Sequence, residues 1–275
     1  MSAQQPSLGG GFVDVGGVKT WVHDVGSGPA VLLLHGSGPG VSAAANWRLT
    51  IPALVAAGHR VIAPDQLGFG QTVPPEGHEY SVDSWLAHAV ELLDALGVER
   101  ASVVGNSFGG AMALRLASGH PDRVDRLVLM GSVGVPFPIT EGLDAVWGYQ
   151  PSVESMRALL DLFAYDTSRM TDDLARDRYE ASIADGADER FAAMFPAPRQ
   201  RWVDSMVLPV EEIRAITAPT LLFHGRDDQV IPLTTSLNLL HLIGRAQLHV
   251  FGQCGHWTQI EYASDFNRLL ADFLA

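Results

Sequence analysis

One cysteine in 275 residues leaves no partner for an intramolecular disulfide and argues against a Cys-based zinc site. Positive charge is also scarce. Lys+Arg number 18 against 31 Asp+Glu, a formal charge of −13, and the arginines form no run. That is the wrong sign for coating nucleic acid or an anionic membrane. No apolar stretch approaches the ~18 residues of a bilayer span. The polar, Gly-rich stretch Met1–Gly11 lacks the basic start and apolar segment of a secretory signal. Internal repeats, low-complexity tracts and Gly/Ser linkers are missing too. These absences predict an acidic, soluble, cytoplasmic protein that folds as one unit, with no nucleic-acid or membrane partner.

What is present is an alternation of short apolar runs with longer segments of helical period. Strands are expected at Thr20–Val25, Ala30–His35, Arg60–Pro64, Ala101–Gly105, Leu127–Met130, Thr220–His224 and Gln247–Phe251. Several are near-continuous Val/Leu/Ile runs, as strands buried on both faces of a parallel sheet require. Helices are expected at Trp47–Ala57, Ser81–Leu96, Phe108–Ser118, Leu233–Ile243 and Tyr262–Leu274. In the second of these, Val82, Trp85, Leu86, Val90, Leu93 and Leu96 fall on one face, and Gly97 stands at the stop position. This order predicts an α/β fold with a mostly parallel, doubly wound sheet.

The segment 136–210 breaks the alternation. It carries helical pattern at Val153–Phe163, Thr171–Ala184 and Glu189–Phe195, ends in Pro196-Ala197-Pro198, and contains no convincing strand. It reads as a helical cap (lid) subdomain over the carboxyl edge of the sheet, with ordinary crossover helices as the alternative. The expected organisation is a core in two parts, 1–135 and 211–275, with the cap at 136–210.

The strongest chemical signal is Gly105-Asn106-Ser107-Phe108-Gly109, followed by Gly110. It lies directly after an apolar strand and directly before a helix. A sharp strand–turn–helix elbow presents the Ser107 hydroxyl at the sheet edge, and side chains at the flanking glycines would collide with neighbouring backbone. A serine hydroxyl needs a base at neutral pH. Downstream, each just after an expected strand, come His224-Gly225-Arg226-Asp227-Asp228 and Gly252-Gln253-Cys254-Gly255-His256-Trp257. The order Ser, acid, His matches a hydrolase triad, with His256 as base and Asp228 as the acid that orients it. Asp227 competes for that place, and the G-x-x-D register from Gly225 favours Asp228.

Of the other histidines, His35 and His224 end strands before glycines and are expected to brace turns. No His spacing suggests a metal site. Cys254 is expected to be a structural thiol. The loop His35-Gly36-Ser37-Gly38-Pro39-Gly40 can aim backbone N–H groups at the site and, with the N–H of Phe108, form an oxyanion hole. It is not a G-x-G-x-x-G turn, Pro39 removes an amide, and no P-loop motif occurs elsewhere, so phosphate binding is not expected.

With these residues in view, the chain resembles the meta-cleavage product hydrolases, α/β-hydrolases that break a C–C bond in ring-opened catechols. The resemblance rests on Leu34–Ser42, Asn46-Trp47, Gly105–Gly110 and Cys254-Gly255-His256-Trp257-Thr258. In the cap it rests on Gly142–Tyr149 and Met194–Trp202. The cap stretches look most like the subgroup acting on 2-hydroxymuconate semialdehyde and short alkyl ketone relatives.

The resemblance implies cofactor-free hydrolysis of a 2-hydroxy-6-oxo-2,4-dienoate, a small-molecule substrate, in a homo-oligomer of two or more chains. It implies an oxyanion hole at the amides of Ser37 and Phe108. It also implies contacts to the substrate's carboxylate end from Arg178, with Arg176 as local rival, and from Asn46 and Asn106. Trp257 matches the aromatic beside the histidine, and Gly38 is part of the substrate-facing loop. Ile139, Trp147, Leu159, Phe163 and Val230 are candidate walls for the C6 end. A serine carboxylesterase, or a non-catalytic ligand receptor on the same fold, are the alternatives.

Overall fold

In each apolar run, successive residues serve opposite faces of the sheet. Val31 and Leu33 pack with Trp47, Leu54 and Phe266 on one side. Leu32 and Leu34 pack with Phe108, Met112 and Leu92 on the other. Both faces are covered, which is why these strands show no polar alternation.

The computed structural model describes residues 8–275; the first seven residues, part of the polar Met1–Gly11 stretch, lie outside them. Eight strands form one sheet: β1 Gly11–Val15, β2 Val18–Gly26, β3 Ala30–Leu34, β4 Arg60–Pro64, β5 Ala101–Asn106, β6 Val124–Met130, β7 Thr220–Gly225 and β8 Ala246–Phe251. Their order is β1-β2-β4-β3-β5-β6-β7-β8. The β1/β2 and β2/β4 pairs are antiparallel, and every other pair is parallel. The helices outside the segment between β6 and β7 are α1 Ala43–Trp47, α2 Ile51–Ala56, α3 Val82–Ala95 and α4 Phe108–Gly119 before it. After it come α11 Thr234–Leu242, α12 Thr258–Glu261 and α13 Ala263–Leu274. Between β6 and β7 the chain is helical: α5 Glu141–Trp147, α6 Val153–Phe163, α7 Asp172–Ile183, α8 Ala187–Met194, α9 Gln200–Met206 and α10 Val210–Arg214.

Two expectations are corrected. The first strand, β1, was not expected, because it is a short, exposed edge strand embedded in glycines. The dipeptide Gly16-Gly17 was its signal: both residues have positive φ, 58° and 87°, as a two-residue hairpin turn requires. The single helix expected over Trp47–Ala57 is two. Ser42 caps α1 through the N–H of Ala45, and Pro52 in the first turn of α2 restarts the helix where its missing N–H costs nothing.

Elsewhere local chemistry sets the bounds. Ser81 and Ser84 form a capping box at the start of α3, and Gly97 follows its end at φ 64°. The parallel register brings Leu34 beside Gly105, Asn106 beside Met130, and His224 beside Val250. The loops after β3, β5, β6, β7 and β8 therefore leave from one edge of the sheet, beneath α6 and α7.

Candidate active site

Ser107 links β5 to α4 with φ 54° and ψ −114°, a conformation that costs a non-glycine residue about 1–3 kcal/mol. Its neighbours hold it there. The Ser107 N–H donates to Met130 O at 2.8 Å, and its carbonyl accepts from Gly110 N–H at 3.0 Å. The glycines are required by contact. A Cβ on Gly105 would strike Gly109 O, one on Gly109 would strike the carbonyls of Leu34 and His35, and one on Gly110 would strike Ser132. Phe108 opens the twelve-residue α4, so its N–H has no acceptor within the helix and lies at the positive end of the dipole.

His256 and Asp228 meet at the same edge. His256 Nδ1 lies 2.7 Å from Asp228 Oδ2. The other oxygen, Oδ1, accepts the backbone N–H groups of Val230 and Ile231 at 2.8 and 2.9 Å. Burial alone would raise this carboxyl. The facing imidazoles of His256 and His224 outweigh it and hold Asp228 well below the usual carboxylate range. Asp227, its sequence competitor, instead turns outward to Arg226 at 3.2 Å. His224 is itself fixed by Ser236 and by Ile231 O, with its Nε2 3.4 Å from Asp228. His35 braces the next loop, accepting Gln66 N–H at 3.0 Å. Cys254 is buried, and that burial pushes its thiol up, far from a reactive thiolate.

A cavity of about 390 Å³ opens above Ser107 and His256, a volume suited to a small ligand. Ser37, Gly38, Asn46, Asn106, Arg178 and Trp257, all expected in the site from sequence, border it. Asn46 is buried, and its Nδ2 has no hydrogen-bond partner among the described residues. Asn106 donates to Met130 O at 3.3 Å, which fixes its orientation. Trp257 stacks on Phe163 with ring centroids 4.7 Å apart. The bordering apolar residues come largely from the helical segment: Met156, Leu160, Phe163, Met170 and Leu174.

Arg178 borders this cavity with no carboxylate partner among the described residues, whereas Arg176 is exposed on the outer face of α7. Burial, reinforced by Arg48, lowers the Arg178 guanidinium to about 10, so it remains charged at neutral pH. Arg48 itself also borders the cavity, and sequence reasoning missed it. It directly follows Asn46-Trp47, at the start of the helix expected over Trp47–Ala57. The break at Pro52 is the signal that could have separated it. Among the described residues, no Asp or Glu borders the cavity.

The expected walls for the C6 end divide differently. Phe163 borders the cavity; Trp147, Leu159 and Val230 are buried in the main core away from it, and Ile139 packs against that core. Trp147 is occupied in donating its indole N–H to Ser37 Oγ at 2.9 Å. No three His, Cys, Asp or Glu side chains among the described residues are grouped to hold a metal ion, and no helix of theirs is long and apolar enough to cross a membrane.

Comparison with known proteins agrees with this geometry. The α/β hydrolase fold family matches residues 29–263. The chain is 59% identical over its whole length, and over 97% of the relative, to a 2-hydroxymuconate semialdehyde hydrolase of Pseudomonas sp. (strain CF600). It is 58% identical, over 97% of this chain and 96% of the relative, to a 2-hydroxy-6-oxo-2,4-heptadienoate hydrolase of Pseudomonas putida. Among solved structures, it superposes with TM-score 0.94 and 58% identity on a serine-to-alanine mutant of a meta-cleavage product hydrolase from Pseudomonas fluorescens IP01, over 96% of each chain. With an elbow serine, a buried histidine–aspartate pair and identity of this extent along the full chain, the protein belongs to the meta-cleavage product hydrolases of the α/β-hydrolase family.

Proposed function

We propose that the protein hydrolyses the C5–C6 bond of 2-hydroxymuconate semialdehyde or a short 6-alkyl analogue, giving 2-oxopent-4-enoate and formate or the matching short acid. The observation that carries this reading is the cavity's polar end. Two arginines and a buried carboxamide whose Nδ2 has no partner face a space bordered by Ser107 and His256 and, among the described residues, by no acid. Such an end suits a carboxylate next to an oxygen that gathers negative charge. A neutral ester gains nothing from it, which disfavours the esterase reading.

In this reading Arg178 and Arg48 hold the carboxylate and 2-oxygen, and Asn46 and Asn106 orient them. The dienol first ketonises: the 2-hydroxyl proton leaves and C5 receives a proton, with His256 carrying it. The resulting 2-oxo group is the electron sink for the later cleavage. Ser107, relieved of its proton by His256, then attacks C6 or directs water to it. The C6 oxyanion lies at the amides of Ser37 and Phe108, where one donor is worth about 3–4 kcal/mol of barrier. The C5–C6 electron pair forms a C4=C5 bond as the C3=C4 pair shifts toward the 2-oxo group, and the dienolate so formed takes its proton at C3, giving 2-oxopent-4-enoate. Water supplies the remaining oxygen and hydrogen, so the sum is substrate plus water with no change of oxidation state. Asp228 keeps His256 in the tautomer that leaves its far nitrogen free to accept.

The helical segment 136–210 acts as the cap that shapes the cavity. A cytoplasmic homo-oligomer is part of the same reading and rests on the family resemblance; the mass in gel filtration tests the assembly. The activity test is the decay of visible absorbance of the ring-opened products of catechol and 3-methylcatechol. Decay with the native chain, abolished in Ser107→Ala, is expected. No decay alongside rapid cleavage of a nitrophenyl ester would overturn the reading.

A further inference from the structure

The loop that carries His256 is bound along its length to the connection between α6 and α7. The His256 N–H donates to Phe163 O at 2.8 Å. The Phe163 ring lies over both His256 and Trp257, with centroids 6.0 and 4.7 Å away. Gly255 approaches this connection so closely that a Cβ would stand 2.9 Å from Tyr165 N and 3.0 Å from the carbonyl carbon of Ala164.

One carboxylate sits between the two segments. Glu261, the last residue of α12, accepts the Gly255 N–H on Oε1 at 2.8 Å. Its Oε2 accepts the N–H of Tyr165 at 2.8 Å and that of Asp166 at 3.4 Å. The Cys254 thiol points at Oε1 from 3.7 Å. Glu261 does not border the substrate cavity, and no cation pairs with it among the described residues. Glu261 is half-buried, and withdrawing an acid even partly from water without a cation has a cost that charge-assisted hydrogen bonds offset. Here those bonds run from one oxygen to the base loop and from the other to the helical segment.

We propose that Glu261 is a positioning residue for His256: it ties the base loop to the α6–α7 connection, so that the seating of the helical segment and the place of the imidazole are set together. This rests on the reading of His256 as the base that activates Ser107. A side chain at Glu261 that bonds only one of the two segments leaves the imidazole free to drift from the serine.

The test uses the full chain with Glu261→Gln and Glu261→Ala. Gln keeps one acceptor oxygen, which can serve Gly255 or Tyr165 but not both; Ala serves neither. Labelling of Ser107 by a fluorophosphonate reads the activated serine alone. The Ser107 oxygen bonds phosphorus, fluoride leaves, and the proton passes to His256. Labelling is expected to slow about ten-fold in Glu261→Gln and about a hundred-fold in Glu261→Ala, the scale of a misplacement near 1 Å. The kcat on the dienoate should fall in parallel while KM stays nearly fixed, because Arg178 and Asn46 are untouched. The thermal midpoint of Glu261→Gln should stay close to wild type.

Labelling of Glu261→Gln at the wild-type rate would overturn the proposal, and this arm decides alone if Glu261→Ala does not fold. A rise in KM with unchanged kcat and labelling would overturn it equally. If the wild type labels rapidly yet leaves the dienoate intact, the proposed substrate falls, and the labelling comparison still decides the role of Glu261.

Discussion

Trp147 donates its indole N–H to the hydroxyl of Ser37 at 2.9 Å, across a buried contact between α5 and the glycine-rich loop after β3. The indole is also stacked on Phe195 with centroids 4.6 Å apart and planes 6° from parallel. Phe195 stacks on Trp85, and Trp85 meets Phe108 edge-on at 4.8 Å. An aromatic column thus runs from the helical segment to the residue beside Ser107. Trp147 braces the loop that carries Ser37 and does not border the cavity.

Replacing Trp147 by Phe keeps a ring against Phe195 and removes the donor. A buried hydroxyl left without its partner costs about 1–3 kcal/mol. The expected result is a fall of about ten-fold in kcat with a small change in KM, measured by steady-state decay of the dienoate. Unchanged kcat would mean that Ser37 holds its place without the indole.

Asp228 has three hydrogen-bond partners that no amide can serve together, since Val230 and Ile231 donate to one oxygen and His256 to the other. Asp228→Asn with its oxygen toward the backbone turns an NH₂ toward His256 and selects the wrong tautomer. A drop of about 10⁴ in kcat is expected. The stability consequence has a definite sign. A carboxyl held below its unfolded value stabilises the fold above the ordinary carboxylate range, and that contribution fades as pH falls through it. Urea melts near neutral pH and near pH 3 should therefore differ less in Asp228→Asn than in wild type.

A second pH effect comes from outside the site. His88 on α3 is buried, with Nε2 2.8 Å from Thr20 Oγ1. Burial, then the neighbouring His78, lowers it from 6.5 to about 4. An imidazole that protonates more readily when unfolded favours unfolding as pH drops between those values, and its effect levels off below. The gap corresponds to about 3 kcal/mol at the acid end. His88→Gln should flatten the fall in unfolding free energy over this interval. A residual slope should remain from His35, which burial also lowers.

The parallel strands and the Ser107 elbow were legible because each rests on local chemistry. Val31–Leu34 and Val103–Val104 are apolar without alternation because both faces are covered, and Gly105 and Gly109 are glycines because backbone passes where a Cβ would sit. Asp228 could be preferred to Asp227 from register alone, and the hydrogen bond to His256 agrees with that preference. Arg48 and Glu261 were not legible. Tyr165, which Glu261 bonds, and Arg178, beside Arg48, belong to segments more than ninety residues away, so the local pattern shows neither the tie between segments nor the shared cavity. Trp147 was visible as an aromatic but not as a donor, because its partner lies 110 residues earlier.

The last prediction concerns the two arginines. Arg178 and Arg48 border one cavity, and each raises the cost of the other's charge, as the lowering of Arg178 by Arg48 shows. An anion entering between them is attracted by both. Arg178→Gln should lower kcat/KM on the dienoate about a hundred-fold, or ~3 kcal/mol. Arg48→Gln should raise KM about ten-fold with a smaller effect on kcat, because a charge facing the ligand's carboxylate is lost. The double variant should lose less than the product of the two, because the residues share one ligand and one repulsion. Cleavage of an uncharged nitrophenyl ester should be nearly unaffected in all three variants. An Arg48→Gln protein that is both less stable and unchanged in KM would show that Arg48 serves the fold and not the substrate.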